Sequence, residues 1–223
     1  MDRFARRYGY LLAIAALATL LAAGSGCRSL FFVPLYLLRG NDIPAEYEGL
    51  KKKKVAVVCQ SVVMMSMGEQ FGAPAELARE LNRKLAEGVP KIRMVDQQKV
   101  EAWIDEGGGM GGDFDYTELG RDLGAEMVVV VELEGFSLEQ STVLYQGKAD
   151  VQFTVYDMAD GKVTFDKPMP QVVHPPNSGV EKSATREVEF RREFIGVLAD
   201  RIGRHFYAHD KYADFASDAK AMK

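Results

Sequence analysis

Three histidines, two cysteines and a methionine-rich stretch are the residues of this 223-residue chain whose types could do chemistry. His205 and His209 are four apart, with Asp210 and Asp214 after them. On a helix that spacing puts two imidazoles on one face, where they could chelate a metal ion. Phe206 stands where the H-E-x-x-H pattern needs its glutamate, and the simpler role is helix-end capping by histidine. His174 lies among prolines with no Ser or Asp partner motif, and Gly-x-Ser-x-Gly is absent from the sequence. Gly107, Gly109 and Gly112 formally match G-x-G-x-x-G, but the run follows a helical pattern and precedes Asp113 and Asp115. A dinucleotide site needs strand, turn and helix in that order, so that helix amides meet the pyrophosphate. The run therefore reads as a flexible linker. Met64, Met65 and Met67 follow the first strand. Three thioethers there would give an adaptable partner contact, or would pack beneath the loop. The expectation is a protein with no catalytic residues, no metal and no cofactor, and so not an enzyme.

The remaining chemistry is at Cys27. Arg3, Arg6 and Arg7 precede an unbroken run of Leu, Ala, Ile and one Thr from Leu11 to Ala23. As a helix that run spans about 20 Å, against about 30 Å for a hydrocarbon core. It reads as the apolar region of a secretory signal and not as a transmembrane helix. Gly24, Ser25, Gly26 and Cys27 come next. The arrangement resembles a bacterial lipoprotein signal, with Gly24 where the family usually has Leu. The resemblance implies removal of residues 1–26 and lipid attachment at Cys27. By the same resemblance, Arg28 in place of Asp points to the outer membrane, facing the periplasm. Residues 27–50 then form an anchored apolar segment and linker. In it, Leu30–Leu38 either lie in the membrane interface or pack on the domain, and Arg39–Gly49 are rich in turn formers.

The whole chain carries 28 basic and 32 acidic residues, and without the first 26 residues its net charge moves from −4 to −6. That argues against a general nucleic-acid binder, which needs a basic footprint. Two cysteines cannot build a disulfide framework or a Cys₄ zinc site. With Cys27 lipidated, Cys59 is left as a small core hydrophobe.

Residues 51–207 read as one α/β domain. Lys51–Lys54 lead into a β-branched apolar run at Val55–Cys59, which reads as a buried strand. The lysines would be its solvated entrance, or would face anionic lipid headgroups. Ala73–Gly88 is helical, with Leu77, Leu81 and Leu85 on one face, Glu80 placed to pair with Lys84, and Gly88 as a stop. A short strand at Ile92–Val95 precedes a second helix capped by Asp96, with Val100, Trp103 and Ile104 on its apolar face. Asp115 caps a third helix, with Phe114 and Leu119 placed as a hydrophobic staple. Met127–Val131 reads as a central strand, and residues 149–156 alternate as a strand with one wet face. Asp160-Gly161 gives a two-residue hairpin into Lys162–Phe165, and Pro168–Gly179 reads as a loop. The final helix, from about Thr185 to Phe206, carries Phe190, Phe194, Ile195, Leu198 and Ile202. Residues 208–223 read as a loosely ordered tail. The order is β-α-β-α-α-β-β-β-α, a mixed sheet with helices mainly on one face and the other face at least partly open.

This order resembles a superfamily of bacterial envelope lipoproteins, as do local phrases such as Val95-Asp96-Gln97-Gln98 and Leu119-Gly120-x-x-Leu123-Gly124-Ala125. It comprises the curli-secretion-channel subunit, the penicillin-binding-protein-activator lipoprotein and the amino-terminal domain of TolB. The resemblance implies a domain that works by protein contact and not by catalysis. The expected function is a membrane-anchored, periplasm-facing adaptor or assembly factor with an unidentified envelope protein as partner. The alternative is an oligomeric subunit, possible homo-oligomer included, of a secretion-channel-like assembly.

Overall fold

Burial on both faces makes the first strand. Val55, Ala56, Val57 and Val58 are all enclosed, so Lys54–Ser61 (β1) forms the middle of a sheet with a neighbour on each side. The structure, a computed structural model, describes residues 42–61, 72–108 and 114–212. Ile43 onward forms one compact unit. Of the preceding unit, Met1–Asp42, only Asp42 is described. Cys27, Met64, Met65, Met67 and residues 213–223 of the expected tail lie outside the described residues.

Ala73–Gly88 (α1) follows β1, and Arg93–Met94 (β2) comes next, parallel to β1. Gln97–Trp103 (α2) runs into a π-helical turn, Ile104–Gly108, and Tyr116–Asp122 (α3) follows. Met127–Glu139 (β3) then pairs parallel with β1 on its other side, from Val55 opposite Met127 to Ser61 opposite Leu133. Leu144–Asp157 (β4) and Lys162–His174 (β5) continue the sheet antiparallel. Val180–Glu181 (β6) pairs with the start of β4, and Glu187–Gly203 (α4) closes the fold. The order across the sheet is β2-β1-β3-β4-β5, so the class is the expected mixed α/β domain.

The two long helices share one face. Leu77, Leu81 and Leu85 of α1 and Phe190, Phe194, Leu198 and Ile202 of α4 bury against Val57, Val129, Phe153 and Val155. Each such side chain contributes about 1.5–3 kcal/mol by leaving water. The two short helices lie on the other face: Val100, Leu119 and Leu123 pack on Ala56, Val58, Val128 and Val130. They cover its β1/β3 half, and beyond them the face carries polar residues of β4 and β5.

Local chemistry places the helix starts. Asp96 accepts the N–H of Gln98 at 3.0 Å, and Asp115 accepts those of Thr117 and Glu118 at 2.9 and 3.1 Å. Phe114 and Leu119 both pack in the second core, as a staple requires. Glu80 turns to Arg83 instead of Lys84, and Lys84 bridges to Asp200 on α4 at 3.3 Å.

Two readings change at β5. The β4–β5 turn holds four residues, Met158–Gly161, with Gly161 at φ 69. Pro168–His174, expected as loop, is strand. Among the described residues β5 pairs only with β4, so its outer side needs no N–H donors, and proline is tolerated on such an edge. Residues 43–50, read as linker, also lie against the first core. Leu50 is fully enclosed, and the Tyr47 ring stacks on Phe165 at 5.0 Å and meets Phe206 edge-on.

Candidate interaction surface

β4 alternates apolar residues toward α1 and α4 with Asp150, Gln152, Thr154 and Tyr156 toward the half-open face. The sheet register brings matching polar residues alongside from β1, β3 and β5. Gln60 Nε2 donates to Glu132 at 2.9 Å, Gln152 Nε2 to Asp166 at 3.0 Å, and Gln171 Nε2 to the two Asp150 oxygens at 3.1 and 3.2 Å. The Thr154 hydroxyl adds a second donor to Asp166 at 3.1 Å. A neutral amide satisfies a carboxylate's lone pairs and leaves its charge in place. None of the three carboxylates has an ion-pair partner among the described residues.

An aromatic line borders this patch. Trp103, Phe114, Tyr116 and Tyr156 follow one another at centroid distances of 5.7, 5.0 and 5.3 Å. Trp103 also donates its indole N–H to Asp122 at 2.9 Å, so it both packs and anchors. Gln60 donates to the Tyr116 hydroxyl at 2.6 Å. Burial and then the Glu132 charge push the Tyr116 phenol up to about 12. Tyr156 moves the same way, by burial first and then by Glu132 and Asp166. Both tyrosines thus remain neutral donors beside a negatively charged sheet face.

The histidines separate. α4 ends at Gly203, so His205 and His209 do not share a helical face. His205 Nδ1 lies 2.6 Å from Glu46 Oε2, and His209 Nδ1 lies 3.5 Å from the Tyr207 carbonyl oxygen. His174 is 1 % exposed at the end of β5, with Nε2 3.2 Å from Glu193 and its ring stacked on Phe190. Nearby, Gln146 Nε2 donates to the Pro175 carbonyl at 3.0 Å, which fastens the chain after β5. Cys59 packs on the first core, where burial pushes its thiol well above its usual range, so it stays protonated. The lysine run is used structurally: Lys51 pairs with Glu48, Lys53 with Glu126, and Lys54 Nζ donates to the Leu123 carbonyl at the end of α3.

No protein-family model matches the sequence. No curated protein matches it either. Among solved structures, the chain is similar to the PelC dodecamer from Paraburkholderia phytofirmans, at 12% identity and TM-score 0.44, over 73% of this chain and 93% of that one. It is similar to lipoprotein GNA1162 from Neisseria meningitidis at 12% identity and TM-score 0.40, over 67% and 96%. It is also similar to the LpoB C-terminal domain from Salmonella enterica at 14% identity and TM-score 0.36, over 61% and 89%. Of these three, GNA1162 is described as a lipoprotein.

Proposed function

We propose that the protein is a bacterial envelope lipoprotein, anchored through Cys27 at the outer membrane and facing the periplasm. There it acts as a non-catalytic adaptor or assembly factor. The secretory pattern and Cys27 support the anchoring. The half-open sheet face supports the adaptor role, and one observation carries it: Glu132, Asp150 and Asp166 are held by glutamine amides and have no ion-pair partner among the described residues. A rigid strand scaffold that presents fixed negative charge beside neutral aromatic donors suits docking of a basic protein segment, since complementary charge steers encounter and register. Among the described residues this face offers hydrogen bonds and charge, and no base-activated nucleophile.

A photocrosslinking amino acid placed at Gln152 in intact cells tests this, with Val188, 65% exposed on α4, as the comparison position. The expected result is a discrete protein adduct from position 152 and none from 188. Adducts from 188 alone, or from neither position, would refute the assignment of this face. A large closed ring in native mass measurements of detergent-extracted protein would replace the adaptor by the channel-subunit reading.

A further inference from the structure

The loops that lead into β1, β2 and β3 meet at one end of the sheet. Lys54 stands opposite Arg93 in the parallel register, and the Arg93 N–H donates to the Lys53 carbonyl at 2.9 Å. Lys52 and Lys91 each precede that pair by two positions, so their loops adjoin. Both lysines are exposed, and both adopt the left-handed conformation, at φ 64 and 59. That region favours glycine. Neither lysine has a hydrogen-bond or ion-pair partner among the described residues. Residues 48–54, 89–93 and 123–126 together hold six cations, Lys51–Lys54, Lys91 and Arg93, and two carboxylates, Glu48 and Glu126. Glu126 alone serves both Lys53, at 3.6 Å, and Arg93, at 2.9 Å, and Glu48 serves Lys51 at 2.7 Å. The adjoining β4–β5 turn takes back a single charge, with Lys162 set against Asp157 and Asp160. This end is therefore cationic in a chain whose net charge is −4.

The chain also enters the domain here. Residues 43–50, which follow the segment leading back to Cys27, run directly into Lys51, and the Tyr47 N–H donates to the His205 carbonyl at 2.9 Å. Tyr207 lies against both Gly88 and Gly203, so the ends of α1 and α4 meet at the same place, and α1 leads on to Lys91. We propose that this cationic end rests on the anionic phospholipid headgroups of the membrane that holds the anchor, with Lys52 and Lys91 as its contact points. The proposal rests on the anchored reading above. Five of the six cations are lysines, compact charges on flexible stems. Such charges can follow phosphates that move within a bilayer, whereas the fixed carboxylates of a folded partner suit the forked arginine better. The anchor keeps the loops near the surface, where each lysine adds to the attraction for anionic lipid. Glu132, level with Gln60 in the register, lies six residues further along the sheet than Lys54. At roughly 3.3 Å per residue that is about 20 Å, so the acidic sheet face stands clear of a surface that would repel it.

The test uses the full chain purified in an uncharged maltoside detergent and reconstituted in two kinds of vesicle, phosphatidylcholine alone and an equimolar mixture with phosphatidylglycerol. N-hydroxysuccinimidyl acetate, an uncharged reagent, marks accessible amines, and peptide mass spectrometry reads each lysine against Lys99, exposed on α2. On the phosphatidylglycerol vesicles Lys52 and Lys91 should react about fivefold more slowly, and the difference should vanish in about 1 M sodium chloride. Lys52→Gly should reduce the protection of Lys91, and Lys91→Gly that of Lys52, with little change in the thermal midpoint because glycine suits both backbones. A midpoint that falls together with the protection would make the lysines structural and overturn the proposal. Protection already present in detergent would assign this end to a second copy of the chain and overturn the lipid assignment. Protein that leaves both kinds of vesicle would refute the anchored reading and the proposal with it, whereas retained protein with equal modification in the two would overturn the contact alone.

Discussion

Gly147 lies beneath the ring of Phe194, so close that a Cβ at 147 would stand 2.4 Å from Phe194 Cγ. Glycine inside a strand is normally a weakness. Here it sets the distance at which α4 settles on β4. Gly147→Ala should therefore overpack the first core and cost about 1–3 kcal/mol. Thermal unfolding measures it, and Phe194→Leu on the Gly147→Ala background should recover part of the loss. An unchanged midpoint would mean that α4 does not depend on this approach.

Phe153 is fully enclosed, with Phe165, His205 and Phe206 around its ring at 5.8, 5.1 and 5.7 Å. Its truncation leaves a cavity that three elements border. Phe153→Ala should cost about 3–5 kcal/mol, whereas Val163→Ala, at 50% exposure, should stay within about 0.5 kcal/mol. Urea unfolding separates them, and similar midpoints would contradict the packing described here.

Lys167, and then His205, hold the Glu46 carboxyl below its ordinary value of 4.5. A depressed pKa means that the folded state binds this proton less readily than the unfolded chain. The contribution is then complete above pH 4.5 and is lost as pH falls through the depressed value. The wild-type protein should be more stable than Glu46→Gln at neutral pH, with the gap closing on acidification. Melting curves from pH 7 down to pH 3 should show it. A constant gap would place the effect of Glu46 outside its charge.

Cys27→Ser should move the protein from the membrane to the soluble fraction and remove the acyl mass from its N-terminal peptide. Retention in the membrane without acyl mass would overturn the lipid anchor.

The helices were legible because their signals are local. Leu77, Leu81 and Leu85 sit one turn apart, and Asp96 and Asp115 declare their caps within three residues. Val55–Val58 and Met127–Val131 read as buried strands for the same reason. β5 was legible only up to Phe165, because Pro168 and Pro170 carry a loop signature that an unpaired edge removes. The half-open face was legible by half: alternation set Asp150, Gln152 and Thr154 on a wet side. Their partners Asp166 and Gln171, and the Gln60–Glu132 pair beside them, come from three other strands, and only the pairing register brings them together.

β1 sits between β2 and β3, and Gln60 meets Glu132 across 72 positions. That placement governs how the chain must come together as it is made. The Val55–Val58 segment gains its second neighbour only after Leu133 has emerged, and the core beneath it stays open until Phe190 to Phe206 arrive. Pairings this distant form slowly, and two valine-rich segments remain exposed to other chains meanwhile. The second core has all its buried residues once Val130 has been made, but the first cannot close before the last helix. A chaperone that shields the inward side of β1 and β3 until then would set the yield.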